Sequence, residues 1–350
     1  MLRTRDFLLT NETKTYIIDV SDSHRKVLNM YAIGIDLGGT NIAAGIVDNN
    51  HHILCKASIP TERLRDADAI TADMAALCRK LCNDASLPLE QIDFIGVAAP
   101  GVANRATGCI ETSCNLPSFV MYPLVDKLSS LLDGKRVAIE NDANAAAIAE
   151  AAAGAAKGTR YSVMITLGTG VGGGVVVDGE AYSGFNFAGA ELGHIVIEKN
   201  GRPCSCGRHG CWECYSSATG LIKTTREKLA ECRAAGRVTQ IESLCGGDPE
   251  KISGKTAFQA ARAGDEAGRE VVASYIDHLV EGLANIINIF QPEVLTLGGG
   301  ICYEGDFLLN PINDRIYKEI YTKDHDPKTV IRVAELGNDA GIIGAACLPH

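Results

Sequence analysis

The stretch Tyr31-Ala-Ile-Gly-Ile-Asp-Leu-Gly-Gly-Thr-Asn-Ile-Ala-Ala-Gly-Ile-Val-Asp48 sets two apolar runs on either side of a Gly-Gly-Thr turn. The pattern predicts a β-hairpin. Glycine lets backbone N–H groups come close to a ligand, and a succession of such groups makes a nest for an anion. Asp36, at the mouth of the turn, is placed to hold a metal bound to a phosphate. Alone, the stretch reads equally well as a plain hairpin. The plan recurs about 130 residues on, in Ser162-Val-Met-Ile-Thr-Leu-Gly-Thr-Gly-Val-Gly-Gly-Gly-Val-Val-Val-Asp178. A third strand, Val294-Leu-Thr-Leu, runs into Gly298, Gly299 and Gly300 before a helix-like stretch. Two strand–glycine–strand units at that separation point to an internal duplication. The expected fold is α/β, with two domains whose glycine loops face each other and clamp a polyphosphate.

Gly168-Thr-Gly-Val-Gly-Gly173 also matches the dinucleotide fingerprint, and with Val175 the glycine loop of protein kinases. A dinucleotide fingerprint must open a helix, whereas Val175-Val-Val-Asp-Gly continues as strand and turn. The sequence has no H-R-D or D-F-G triplet and no Walker A run, which excludes protein kinases and P-loop enzymes.

A second informative stretch is Gly189-Ala-Glu-Leu-Gly-His-Ile-Val-Ile-Glu-Lys-Asn-Gly-Arg-Pro-Cys-Ser-Cys-Gly-Arg-His-Gly-Cys-Trp-Glu213. Cys204, Cys206 and Cys211 fall within eight residues, and His194 lies ten residues before the first. Gly207 and Gly210 let the backbone double back so that three sulfurs converge. Three thiolates and one imidazole suit a closed, structural Zn²⁺ site. Cys214 is near enough to compete, but it follows Glu213 into a helix start and ranks below the others. The zinc staples a loop that turns Glu191, His194 and Glu213 into a cleft. The remaining ten of the 13 cysteines are scattered through apolar runs, as small buried hydrophobes are.

The chain of 350 residues is long enough for two domains. A net charge of −10 without a basic cluster argues against a nucleic-acid surface. No apolar run is long enough to span a membrane, and the N-terminus lacks a signal-peptide core. Many thiols in odd number fit a reducing, cytoplasmic setting. Residues 1–30 are polar, with a short strand expected at 15–20 and a short helix at 22–30, and read as an extension outside the functional core. Helices are expected at 64–84, 214–234, 255–263, 265–290 and 339–347, and strands at 91–98, 136–140 and 329–334. A polar loop carrying Asn115 is expected at 109–119, and an irregular connection at 235–254. Asn141-Asp142 begins an alanine-rich helix, where capping and the helix dipole favour a carboxylate at Asp142. A strand-to-helix junction is also where α/β sheets place ligands.

Taken together, the Asp36-Leu-Gly-Gly-Thr40 hairpin, Glu140-Asn-Asp142, Leu167-Gly-Thr-Gly170, Glu191-Leu-Gly-His194 and Cys204-x-Cys-Gly-x-x-Gly-Cys-x-Glu213 resemble, in order and spacing, the ROK family of sugar kinases and sugar-responsive repressors. The resemblance covers about residues 30–348. It implies an actin-like, ribonuclease-H-type fold of two α/β domains closing over a cleft. Residues 31–140 with 335–350 would be the smaller domain, and 141–334 the larger, with the zinc loop at 194–213. It implies ATP-dependent phosphorylation of a hexose, glucose to glucose 6-phosphate first, with N-acetylmannosamine, N-acetylglucosamine, fructose or allose as alternatives. Asp142 would be the general base. Asn115, Asn141, Glu191, His194 and Glu213 would bind sugar hydroxyls, and His194 would serve zinc with one ring nitrogen and sugar with the other. Gly38, Gly39, Thr40, Gly168, Thr169, Gly170, Gly298, Gly299 and Gly300 would line the nucleotide site, with Mg²⁺ near Asp36. A homodimer is implied as well. A repressor of the family would carry a DNA-binding domain of about 60–80 residues ahead of the core; the stretch before Tyr31 is shorter and not basic.

Overall fold

The computed structural model describes residues 31–348, so the strand and helix expected before Tyr31 lie outside the described residues. The apolar runs flanking the first glycine turn become β1 (Tyr31–Leu37) and β2 (Asn41–Val47), followed by β3 (Ile53–Pro60). Next come α1 (Ala67–Asp84), β4 (Ile92–Ala99), a ribbon of β5 (Val102–Asn104) and β6 (Cys109–Thr112), α2 (Leu124–Leu131), β7 (Val137–Asn141) and α3 (Asp142–Ala153). The main sheet has the order β3-β2-β1-β4-β7. β1 is antiparallel to β2 and parallel to β4, and β4 is parallel to β7. α1 begins where Asp66 caps it, and it buries Ile70, Met74, Leu77 and Leu81 against Ile33, Ile35 and Val97.

The second half repeats this plan. β8 (Tyr161–Leu167), β9 (Val171–Val177) and β10 (Glu180–Ala181) form the meander. The cysteine loop then leads to α4 (Glu213–Ser216), α5 (Ala218–Ala234), α6 (Gln240–Leu244), α7 (Thr256–Arg262) and α8 (Glu266–Phe290). β11 (Val294–Gly298), α9 (Asp306–Glu319), β12 (Val330–Val333) and α10 (Ala340–Ala346) finish it. The order β10-β9-β8-β11-β12, antiparallel on one side of β8 and parallel on the other, matches the first sheet strand for strand. The duplication read from two glycine turns is thus a duplication of sheet topology.

Three local expectations change. The helix expected over 214–234 is interrupted at Ser217, whose hydroxyl accepts from Gly220 N at 3.0 Å and starts α5. The stretch 235–254 carries α6 and a 3₁₀ turn at Pro249–Lys251, capped by Thr239 and Asp248. Pieces that short leave no periodic signature. The loop expected at 109–119 opens with β6.

Each sheet hands its last helix to the other. α3 follows β7 of the first sheet yet packs on β8 and β9, and α10 follows β12 of the second yet packs on β1 and β4. The two helices also pack on each other. These contacts are backbone to backbone. A Cβ at Gly34 would stand 1.8 Å from the Ile342 carbonyl oxygen, one at Gly96 1.8 Å from that of Ala345, and one at Gly344 1.8 Å from that of Ala145. The fully buried Glu150 locks the crossing, accepting from Ala155 N at 2.7 Å, Leu336 N at 2.9 Å and Glu335 N at 3.2 Å. No helix of the described residues is long and apolar enough to cross a membrane.

Overpacking a tight backbone contact costs about 1–3 kcal/mol. Gly96→Ala is therefore expected to lower the unfolding free energy by that amount, read as a lower urea midpoint. An unchanged midpoint would show that α10 can lift off the first sheet freely.

Candidate active site

The site lies where both sheets present their glycine turns. In the first turn Gly38 N donates to Asn41 O at 3.0 Å. The buried Thr61 holds the outside of the turn, its hydroxyl donating to Gly38 O at 2.6 Å and its N–H to Thr40 O at 2.8 Å. In the second, Gly168 N donates to Gly170 O at 3.0 Å. This turn is tied to the start of α5, where Ala218 N reaches Gly168 O and Thr219 Oγ1 reaches Thr169 O, both at 2.8 Å. Gly299 adopts φ +96° with a virtual Cβ 2.3 Å from Leu167 O, so the third glycine run lies directly beside the second turn. Tight turns with their own carbonyls satisfied leave N–H groups for an anion.

Asp142 opens α3, but it is not the cap. Asn141 is: its Oδ1 accepts from Ala143 N at 2.9 Å and Asn144 N at 3.2 Å, while its Nδ2 donates to Gly101 O at 3.1 Å. Asn141 keeps one amide hydrogen for a ligand. Relieved of capping both groups, Asp142 accepts from Ala143 N at 2.8 Å and points its carboxylate into the cleft. The carboxylate is open to solvent, yet protein crowds it on the cleft side. That crowding, and secondarily the charge of Glu191, raises its pKa. Asp36, more enclosed and packed against the Cα of Gly341, is pushed up to about 6 by burial first and the charge of Asp142 second. Asp36, Asp142 and Glu191 therefore share one patch of field. Asn115 stands beside the first turn, its Cβ 3.5 Å from a virtual Cβ at Gly39.

The cysteine loop folds as the glycine positions require. Gly207 and Gly210 take φ of +85° and +79°, and a Cβ at Gly210 would lie 1.7 Å from Glu198 O. Trp212 N donates to Ile195 O at 2.8 Å and Ile197 N to Gly210 O at 3.0 Å, which brings the arm bearing His194 against the arm bearing Cys211. His194, Cys204, Cys206 and Cys211 place one ligand atom each within 4.8 Å of one another. Cys206 Sγ lies 3.6 Å from Cys211 Sγ, and Cys204 Sγ 3.5 Å from His194 Nδ1. Tetrahedral zinc with ~2.3 Å sulfur bonds needs ligand atoms about 3.5–3.8 Å apart, so the set fits. Cys214 turns away to Pro203 O at 3.6 Å. All thirteen cysteines are free thiols.

Glu213 joins the loop to the cleft. Its Oε1 lies 3.2 Å from Cys204 Sγ and 3.7 Å from His194 Nδ1, and its Oε2 sits 2.7 Å from a virtual Cβ at Gly170. Beside it a cavity of about 400 Å³ runs between Gly170, Ser217, Thr219 and Lys223. Trp212 was not among the residues expected to matter. It is fully buried, its indole N–H donates to His278 O at 3.0 Å, and it lies flat against Gly282, where a Cβ would come within 2.0 Å of the ring. Being the single tryptophan of the chain, set between a candidate ligand and a candidate sugar group, was the available signal.

Duplicated sheets, exchanged helices and a cleft at the turn ends define the actin-like ATPase fold of two α/β lobes. A family model described as the ROK family matches residues 32–350, and the chain belongs to that family. It is 35% identical over 316 residues to a glucokinase of Thermotoga maritima, covering 90% of this chain and 96% of that one. It is 28% identical over 319 residues to an N-acetylmannosamine kinase of Salmonella typhi, covering 91% and 98%. Among solved structures, a ROK glucokinase of Streptomyces griseus in complex with glucose and AMPPNP superposes with a TM-score of 0.72 at 31% identity, over 90% of this chain and 98% of that one.

Asp36 binds its proton more tightly folded than unfolded, so its contribution to stability is full below about pH 4 and lost as pH rises through about 6. Asp36→Asn should then stabilise the protein at pH 7.5 by on the order of 2–3 kcal/mol, the gain shrinking to nothing near pH 4. Chemical denaturation at the two pH values measures this, and equal stabilities at pH 7.5 would contradict the burial argument.

Proposed function

We propose that this protein transfers the γ-phosphoryl group of ATP to a hydroxyl of a hexose, with glucose as the sugar and glucose 6-phosphate as the product. The observation that carries the reading is Asp142, freed from capping by Asn141, solvent-open, raised in pKa and within charge range of Asp36 beside the first glycine turn and of Glu191. The 35% identity to a glucokinase over nearly the whole chain supports the choice of sugar. The N-acetylmannosamine kinase relative supplies the second sugar to test.

Phosphoryl transfer asks for alignment, charge neutralisation and a carboxylate for the acceptor proton. The sugar oxygen forms its bond to the γ-phosphorus as the bond to the bridging oxygen of ADP breaks, and Asp142 takes the hydroxyl proton. A raised pKa makes Asp142 a better proton acceptor. Glu191, His194 and Glu213, with Asn115 and the remaining hydrogen of Asn141, read the other hydroxyls. Gly38, Gly39, Thr40, Gly168, Thr169, Gly170 and the run Gly298, Gly299, Gly300 cradle the nucleotide. Mg²⁺ bound with ATP would neutralise phosphate charge, and Asp36 is the carboxylate placed to hold it.

The cysteine set would hold zinc, which fixes the loop and turns His194 Nδ1 to the metal, leaving Nε2 for the sugar. We place the domain boundaries at residues 31–140 with 335–350 and at 141–334. A cytoplasmic homodimer completes the proposal.

ADP release would be followed with glucose, mannose, fructose, allose, N-acetylglucosamine and N-acetylmannosamine. Glucose is expected to give the highest kcat/KM, and Asp142→Asn to lower kcat by about 10²–10⁴-fold while glucose binding by calorimetry persists. Near-normal turnover in that variant would remove the base assignment, and a flat panel from folded protein the sugar-kinase reading. Separately, metal analysis should find about one zinc per chain, and stripping it with a chelator should lower the melting temperature and abolish turnover together. Folded, active protein without zinc would end the stapled-loop account.

A further inference from the structure

Arg105 sits at the tip of the β5–β6 ribbon, outside the three glycine turns and the cysteine loop described above, and it bridges two segments of the site. Its Nε lies 3.3 Å from Glu140 Oε2, and Glu140 is the fully buried residue two before Asp142. Its terminal nitrogen donates to Ser183 Oγ at 3.1 Å and to Ala181 O at 3.4 Å, in the second-sheet loop that leads to Glu191. Its guanidinium carbon stands 5.8 Å over the ring of Phe187 in that same loop.

The ends of this bridge are not soft. Glu140 Oε1 is occupied, accepting from Asn141 N at 2.8 Å and Asn144 Nδ2 at 3.0 Å, so Oε2 has no hydrogen-bond partner and faces Arg105 as its ion pair. A buried carboxylate needs such a partner. The ribbon tip is preset by Asn104, whose Oδ1 accepts from Ala106 N at 3.0 Å and Thr107 N at 3.1 Å, and whose Nδ2 donates to Glu111 Oε1 at 2.7 Å. The far loop carries stored strain. Phe187 and Ala190 have φ of 62° and 63°, a region side chains avoid unless their surroundings enforce it. Gly189 N closes the loop onto Ser183 O at 2.8 Å, next to the hydroxyl that Arg105 holds.

We propose that Arg105 is a positioning residue: it clasps the Glu140-Asn141-Asp142 segment to loop 181–191, so that the base and the sugar-reading Glu191 are set relative to each other by one guanidinium shared between the two lobes. The role rests on the sugar-kinase reading given above. It explains why a planar fork is found here. Arginine meets a carboxylate, a hydroxyl, a carbonyl and a ring face simultaneously, and lysine has neither the fork nor the plane. Glu140 therefore acts through its neighbours, ordering the start of α3 with one oxygen and receiving the second lobe's loop, through Arg105, with the other.

The test uses Arg105→Lys, Arg105→Ala and Ser183→Ala, read by steady-state kinetics and by hydrogen exchange in the unliganded protein. Arg105→Lys keeps a positive charge beside Glu140 and guards against a variant that simply unfolds. Ser183→Ala leaves the Glu140 pair intact and removes only the far end. A positioning role predicts that kcat/KM for the sugar falls about 10–100-fold in both arginine variants, the scale of misplacing a reacting group, with a smaller loss in Ser183→Ala. It predicts KM for ATP unchanged within about twofold in all three, and faster exchange of amides across 181–191. Wild-type sugar kinetics in Arg105→Lys and Ser183→Ala, or faster exchange with no kinetic change, would reduce Arg105 to a partner for a buried charge and overturn the proposal. Absence of sugar-dependent ADP release from the unaltered protein would overturn the kinase reading and this role with it, and that outcome is separable because it precedes any substitution.

Discussion

The structure depends on the place where α10 lies on the first sheet and α3 lies on α10 with no side chain between them. Gly34 and Gly96 meet carbonyls of α10, and Gly344 meets a carbonyl of α3. Backbone contact at that range buries little area but fixes the relative height of three elements, because packed interiors have no slack to absorb an added methyl. The exchange of helices has a second consequence. α3 begins at the edge of one sheet and rests on the other, so Asp142, at its N-terminus, belongs to both lobes at once. The three backbone N–H groups collected by Glu150 tie down the other end of that helix.

Around Asp142 the chain accepts an electrostatic cost. Asp142 adds to the raised pKa of Asp36 and Glu191 to that of Asp142, and none of the three has a cationic side chain within ion-pair range among the described residues. A folded protein without function to serve would place an arginine there. Left open, the carboxylates form a receptor for groups that donate hydrogen bonds or carry positive charge, as the proposed sugar hydroxyls and magnesium-bound phosphate would. Nearby charge balance is supplied one layer deeper, where Arg105 meets Glu140.

How much of this was legible follows from what each feature writes into the sequence. Strands flanking a glycine turn are contiguous and apolar, so both meanders and the duplication could be read from residues 31–48 and 162–178. The cysteine set was legible because metal ligands come with fixed spacing and obligatory glycines, and Gly207 and Gly210 do adopt positive φ. The exchange of α3 and α10 was not legible. Gly344 of α10 sits inside an ordinary helical stretch, and its purpose is defined by the carbonyl of Ala145, about 200 residues back in the chain. Asn141 and Asp142 could not be told apart as cap and ligand, since both types serve at helix starts; only coordinates show which side chain folds back. Arg105 left no trace at all, because its partners come from two segments, Glu140 and the loop at 181–187, both distant from it in the chain.

The cysteine loop shows why such distant parts must be solved together. Glu213 has one oxygen against Cys204 and His194 and the other against the Cα of Gly170. A side chain at position 170 would displace the carboxylate, and a displaced carboxylate would crowd the sulfur and imidazole. The second glycine turn, the candidate zinc ligands and the sugar-reading carboxylate therefore satisfy one steric condition. Trp212 keeps that condition from drifting, since its ring fills the space left by Gly282 on α8 and its N–H is fixed to a helix carbonyl. Backbone hydrogen bonds such as Trp212 N to Ile195 O and Gly210 N to Arg202 O tie the loop to itself, and the core holds its end at Trp212, so Glu213 is presented rigidly.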